Sequence, residues 1–138
     1  MKKESLERFS VTLSRELLDF LDKEIIDKGF ASRSEFIRDL IRERKIEEKW
    51  KSKEKVIGVL VVVFNHSKRD ILSKIMDIQH KHILNILGTS HIHLDQNNCL
   101  EVITIKGKAS EIEEIAIKIG GIKGVNFSKL VRTAKIDK

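Results

Sequence analysis

A single cysteine, Cys99, stands in the whole chain, so no disulfide forms within it, which suits a reducing, cytoplasmic setting. Proline and tyrosine are absent altogether, and no repeat or low-complexity tract interrupts the 138 residues. No apolar run reaches the roughly 20 residues that a membrane helix needs. Residues 56–64 are very apolar but too short, and they read as a buried strand. The first residues carry no signal-peptide pattern. What is present suits a globular protein: 41% hydrophobic residues, 35% charged residues and a net charge of +6. A basic balance is compatible with nucleic-acid binding but weak evidence alone. Residues 1–55 carry 15 Lys/Arg against 13 Asp/Glu, or +2, and residues 56–138 carry 12 against 8, or +4. The charge therefore does not point to one half.

The charged segment "KWKSKEK" lacks an apolar face and divides the chain, predicting domains over 1–52 and 53–138. The first part reads as strand, helix, helix. In "RFSVTL" Phe9, Val11 and Leu13 alternate with Arg8, Ser10 and Thr12, the period-two pattern of a strand. Ser14 is a good N-cap for a helix carrying Leu17, Leu18, Leu21 and Ile25, and Gly29 is a plausible residue just past its end. Ser32 and Glu35 form a capping box for a second helix running to about Trp50. One strand and two helices bury little surface, and a lone strand leaves its ladder groups unpaired. Both problems vanish if two chains pair their strands as an antiparallel ribbon. Its outer face would then offer Arg8, Ser10 and Thr12 to the major groove of DNA, which accepts a two-stranded ribbon. The start of the second helix, with Arg33 beside it, would offer backbone N–H groups to a phosphate. The plainer reading of the alternation, an ordinary edge strand, gives way to the ribbon because of the complete strand, capped helix, Gly, capped helix order.

The second part reads β-α-β-β-α-β, the ferredoxin-like order, so the whole chain is α+β. Val56–Phe64 is the first strand, and Lys68–Leu87 is expected as a long helix stopped by Gly88. Thr89–Leu94 and Cys99–Lys106 form a hairpin, Ser110 is expected to cap the second helix, and Val125–Arg132 is the last strand. Strand one is apolar on both faces, which argues for contact between subunits.

The segment "SHIHLDQNNC" carries two of the five histidines and the only cysteine. A His-x-His on a strand points both imidazoles to one face. If Ile92 and Leu94 face the helix-covered core, His91 and His93 face the open side of the sheet. Cys99 shares its strand face with Glu101. Each residue has a plain structural explanation alone, but three donor types at this spacing are harder to dismiss. His66 reads equally well as a loop residue. His80 falls on a helix flank with Met76, Leu84 and Leu87 that suits a subunit interface, and His82 lies nearer the core margin.

Residues 8–48 resemble a ribbon-helix-helix DNA-binding domain, with "SRSEFIRD" the most specific element. "VFNHSKRD", "DIQHKH", "SHIHLDQNNCLEVITIKG" and "GVNFSKL" together resemble the ACT-like regulatory domain of nickel-responsive transcriptional regulators, in that family's domain order. The resemblance implies a homotetramer, a dimer of dimers, that binds double-stranded operator DNA when Ni(II) is present and represses nickel-related genes. It implies a square-planar site of His91, His93 and Cys99 from one chain and His80 from another. Imidazole and thiolate suit such a metal. It also implies a tyrosine where this chain has Phe64, a role for Glu101 beside the ligands, and a structural cation at Glu35 and Asp39. For the last pair, a capping-box Glu and a solvated Asp are an equal reading.

Two other function classes can be weighed. A cysteine enzyme would need Cys99 paired with His91 or His93, an oxyanion site and a cleft, and no such pattern is visible. A DNA-binding regulator sensing an amino acid or other small molecule in its second domain is the closer alternative. The chain reads as a regulator and not as an enzyme.

Overall fold

The computed structural model describes residues 5–136. They form two compact units that divide inside the second helix, one ending at Ile41 and the other starting at Arg42.

In the first unit, helix α1 spans Arg15–Lys28 and helix α2 starts at Arg33, continuing to Lys51. Ser14 caps α1, its Oγ accepting from the Leu17 N–H at 3.3 Å. The helix ends on Gly29 at φ 71°, a left-handed conformation that costs glycine nothing. The Phe30 N–H reaches back to the Ile25 carbonyl at 2.9 Å, closing the last turn. Ser32 Oγ accepts from the Glu35 N–H at 3.1 Å, the first half of the capping box. Phe36 is buried and meets Phe30 edge-on, ring centroids 5.1 Å apart. No residue of α1 is buried, and Leu17, Phe20 and Ile26 stay exposed. The strand expected over Arg8–Leu13 is not formed, and residues 5–14 are exposed without regular structure. A strand needs a neighbour for its ladder groups, and the strands among the described residues all lie in the other unit.

The second unit is a four-stranded antiparallel sheet with strand order β2-β3-β1-β4: β1 Lys55–Asn65, β2 Ile86–His93, β3 Asn98–Lys108 and β4 Val125–Thr133. Helices α3 (Arg69–Lys81) and α4 (Ala109–Gly120) supply Ile71, Ile75, Ile112, Ile115 and Ile119 to the core. They meet Val56, Leu60, Val62 and Phe64 of β1 and Ile103 and Ile105 of β3. Gly58 of β1 permits this close approach, since a Cβ there would fall 2.7 Å from Ile112 Cγ2 and 2.9 Å from Leu130 Cδ1. The end of α2 belongs to this unit. Trp50 is buried there, donates from Nε1 to the Thr133 carbonyl at 3.0 Å and lies under the Arg132 guanidinium.

Two element ends differ from expectation. The long helix stops at Lys81 rather than Leu87, because Asn85 is tied to β3. Its carbonyl accepts from the Lys106 N–H at 2.7 Å and its side-chain amide donates to the Lys106 carbonyl at 3.1 Å. The chain is thereby turned into β2 at Ile86, and Gly88, expected as a stop, lies within the strand beside a shift of register. Leu84 and Leu87 are therefore not on the helix flank with His80, and Leu84 is fully exposed in the turn. Helix α4 starts at Ala109, before Ser110, and the Glu111 carboxylate accepts from the Lys108 N–H at 2.8 Å.

Candidate metal centre

Strands β2 and β3 carry the donors. Their register pairs His93 with Cys99 and His91 with Glu101, so all four side chains share one face. That face is the helix-covered one, since Cys99 and Glu101 are buried with Ile103 and Ile105 along β3. The expected orientation is thus reversed: Ile92 and Leu94 lie on the other face of the sheet, and the histidines share the face of Cys99 and Glu101 while remaining exposed at its edge. The reason lies in the edge position of β2. Beyond the helices' footprint the covered face is not hydrophobic core, and imidazoles occupy it.

Cys99 is fully buried, and its Sγ lies 3.1 Å from His66 Nδ1 and 3.4 Å from His93 Nδ1. Among the described residues, His66, His93 and Cys99 form a group whose donor atoms all lie within 4.8 Å of one another. His91 and His80 fall outside that group. His91 stacks edge-on with His93, ring centroids 5.2 Å apart, and with Phe64 at 6.0 Å. Its Nδ1 sits 3.5 Å from Glu101 Oε2, while the other oxygen of Glu101 accepts from Gln79 Nε2 at 2.6 Å. Glu101 therefore ties β3 to α3 at the residue preceding His80. His80 is exposed and lines a cavity of about 480 Å³ with Gln79, His91, Glu101, Leu72 and Met76. Phe64 pairs with Cys99 across β1 and β3 and is fully buried, so no hydroxyl is present at that position.

Burial, with the negative charges of Asp95 and Glu101 nearby, pushes the Cys99 thiol up from its ordinary value. The hairpin tip is fixed by Asp95. The Asn98 side chain donates to its carboxylate, and Oδ1 also accepts from the Asn97 and Asn98 N–H groups at 2.8 Å. These bonds hold its pKa below the usual carboxylate range.

His66 was legible in principle. In this topology β1 and β3 are antiparallel neighbours, so the residues just past β1 meet those opening β3. Its N–H donates to the Asn97 carbonyl at 2.9 Å, continuing the β1–β3 ladder by one step. The proposed DNA-facing residues Arg8, Ser10 and Thr12 are exposed. Arg33 is engaged: its Nε and one terminal nitrogen donate to the two oxygens of Asp22, both at 2.8 Å. The pair lowers the Asp22 pKa and raises that of Arg33. Glu35 accepts from Arg38 at 2.6 Å, and Asp39, one turn on, is half-buried. His82 closes α3, its N–H donating to the Ile78 and Gln79 carbonyls.

A capped helix pair followed by a ferredoxin-like unit, with imidazoles and a thiol gathered at one sheet edge, has the build of a metal-responsive regulator. Two family models match. Residues 57–133 match the NikR C terminal nickel binding domain, and residues 7–48 match the ribbon-helix-helix protein, copG family. A protein of Campylobacter concisus named "Putative nickel-responsive regulator" is 49% identical over 132 residues, covering 95% of this chain and 96% of its own. One of the same name from Helicobacter pylori strain Shi470 is 44% identical, covering 99% and 95%. Among solved structures, uncharacterized protein TM1266 from Thermotoga maritima has a TM-score of 0.53 at 21% identity, spanning 57% of this chain and 98% of its own. That likeness shows the fold alone. The chain belongs to the nickel-responsive regulator family, a ribbon-helix-helix DNA-binding domain joined to a nickel-binding domain. The donors present fit nickel, because imidazole nitrogens and one thiolate are a set that Ni(II) accepts.

Proposed function

We propose that the chain is a nickel-dependent repressor that binds a palindromic operator when Ni(II) occupies a His3Cys site shared between subunits of a homotetramer. In this reading His91, His93 and Cys99 come from one chain and His80 from another. The observation that carries it is the cross-strand pairing of His93 with Cys99, with His91 beside them on the same face. Glu101 supports the assignment of His91. A carboxylate at Nδ1 holds the proton there and leaves Nε2 to the metal. Phe64 closes the back of the site without a hydroxyl. Held by His91, His93 and Cys99 of one chain and His80 of another, nickel would supply a link between the two chains.

The exposed apolar side chains of α1 and α2 support pairing with a second copy, in which residues 8–13 form the ribbon and Arg8, Ser10 and Thr12 read base edges. Arg33 contacts a phosphate in this reading only as part of its pair with Asp22. Domains at 1–52 and 53–138 and a structural cation at Glu35 and Asp39 belong to the same proposal. So does action in the cytoplasm, where DNA is accessible. Among the described residues no helix is long and apolar enough to cross a membrane.

Metal and DNA sites lie on different domains, so nickel controls DNA only by binding more tightly to the DNA-competent arrangement. The test is operator binding at fixed salt with and without nickel. A gain in operator affinity that random DNA does not share is expected. Operator affinity indifferent to nickel would overturn the reading and favour a small-molecule sensor.

A further inference from the structure

Strand β4 is an edge strand that pairs with β1, and its ladder ends where Thr133 faces Ile57. The residues at and beyond that point are carried onto the end of α2. The Thr133 carbonyl accepts from the Trp50 indole N–H at 3.0 Å, and the Lys135 carbonyl accepts from Lys49 Nζ at 2.7 Å. The Arg132 guanidinium lies over the Trp50 ring, 5.2 Å from its centroid, and also donates to the Glu113 carboxylate of α4 at 3.0 Å. Ala134 packs against the same core as Ile46, one helical turn before Trp50. Four consecutive residues, Arg132 to Lys135, thus engage the last turns of a helix that starts in the other unit.

We propose that Arg132–Lys135 and the end of α2 form a clasp, with Arg132 its positioning residue, through which the metal-binding unit acts on the DNA-binding one. Arg132 and Glu113 are both half-exposed, and an ion pair so placed contributes little stability. The bridge matters for aim: it joins α4 to the guanidinium and sets that guanidinium over the indole of α2. Trp50 itself is buried, so the clasp grips a side chain that is fixed in the core of the second unit.

Helix α2 makes the grip consequential. Its 19 residues contain neither proline nor glycine, the usual places for a helix to kink. At 1.5 Å per residue it is about 28 Å long, and a displacement at Trp50 is passed along it toward Arg33, the proposed phosphate contact. With the clasp closed, a shift of β4 or α4 moves the helix. With the clasp open, the end of the helix frays and the shift is lost. The inference rests on the DNA-binding reading of the first unit, and on the nickel reading only for the ligand that drives the signal.

The test compares the full-length wild type, Arg132→Met and a chain ending at Thr133. Met keeps the packing of the arginine stem and drops the charge. Amide hydrogen exchange is measured, with binding to nickel and to a DNA duplex selected from a random pool by the wild type. Without metal or DNA, exchange in residues 45–51 is expected to be about tenfold faster in both variants, while β1 and β3 stay protected. Unchanged exchange there overturns the clasp. Both variants are expected to bind nickel within about twofold of wild type, as separate sites do, yet to lose most of the nickel-dependent gain in duplex affinity. A gain kept in full overturns the signalling role, and an equal fall in nickel affinity overturns the positioning role of Arg132. By linkage, the duplex should slow exchange in residues 45–51 of the metal-free wild type and not of Arg132→Met. That response in a wild type whose duplex affinity ignores nickel sinks the nickel reading and leaves the clasp standing; its absence overturns the clasp.

Discussion

Glu101 is the residue on which the site's order turns. It is buried, and its two oxygens face two partners: Gln79 on α3 and His91 on β2. Replacing it by Gln keeps the shape but removes the charge that favours a proton on His91 Nδ1. Nickel affinity is expected to fall about 10–100-fold, measured by competition with a chelator, with the thiolate band intact. Unchanged affinity would strip Glu101 of that role. Cys99 gives a pH prediction of definite sign. Its thiol is held above its ordinary value by burial, then by Asp95 and Glu101, so the metal-free protein keeps the proton at neutral pH. If Cys99 is a nickel ligand, as proposed, binding takes the thiolate and displaces that proton. Apparent nickel affinity should therefore rise with pH through neutrality, and a weakly buffered solution should acidify on nickel addition. A pH-independent affinity would mean that Cys99 is not a ligand. The same raised value makes a stability contribution that is present below the ordinary thiol pKa and lost as pH rises through the folded one.

Gly58 shows what the elements require of one another. The helix α4 packs so closely on β1 that a methyl group at this position meets Ile112 and Leu130 inside 3 Å. Gly58→Ala is expected to destabilise the second unit by about 1–3 kcal/mol through overpacking, read as a lower urea midpoint with an unchanged slope. An equal or higher midpoint would mean that α4 is free to shift. Most elements were legible because local chemistry specifies them. Ser14 caps, Gly29 turns left-handed, and the period-two and period-3.6 patterns give the strand and helix order. The end of α3 was not legible, because Ile83 and Ile86 continue a helical spacing while the stop comes from Asn85 bonding to Lys106, 21 residues on in β3. The face of His91 and His93 was misjudged for a related reason. Alternation states that they share a face, but only the register with Cys99 and Glu101 states which one. The six residues Arg8–Leu13 have strand alternation but no strand neighbour among the described residues of their own chain.

For the whole molecule, the question is whether a nickel site belongs to one chain or two. His80→Ala and Cys99→Ala homo-oligomers should each lose tight nickel binding, because every site lacks one donor. In a mixture refolded together, the intact hairpin of the first variant can meet the intact His80 of the second. High-affinity nickel and its thiolate band, absent from both parents, are then expected to return in the hetero-oligomers. If hetero-oligomers form and nickel does not return, His80 does not act across subunits. The means to follow such assemblies is already in the chain. Trp50 is the only tryptophan, tyrosine is absent, and the indole is sealed in the second unit with its N–H on Thr133 and a guanidinium over its face. Near-ultraviolet emission from this protein therefore comes from one fluorophore in one place, with no tyrosine to feed or mask it. A red shift reports loss of the packing that holds the end of α2 against β4.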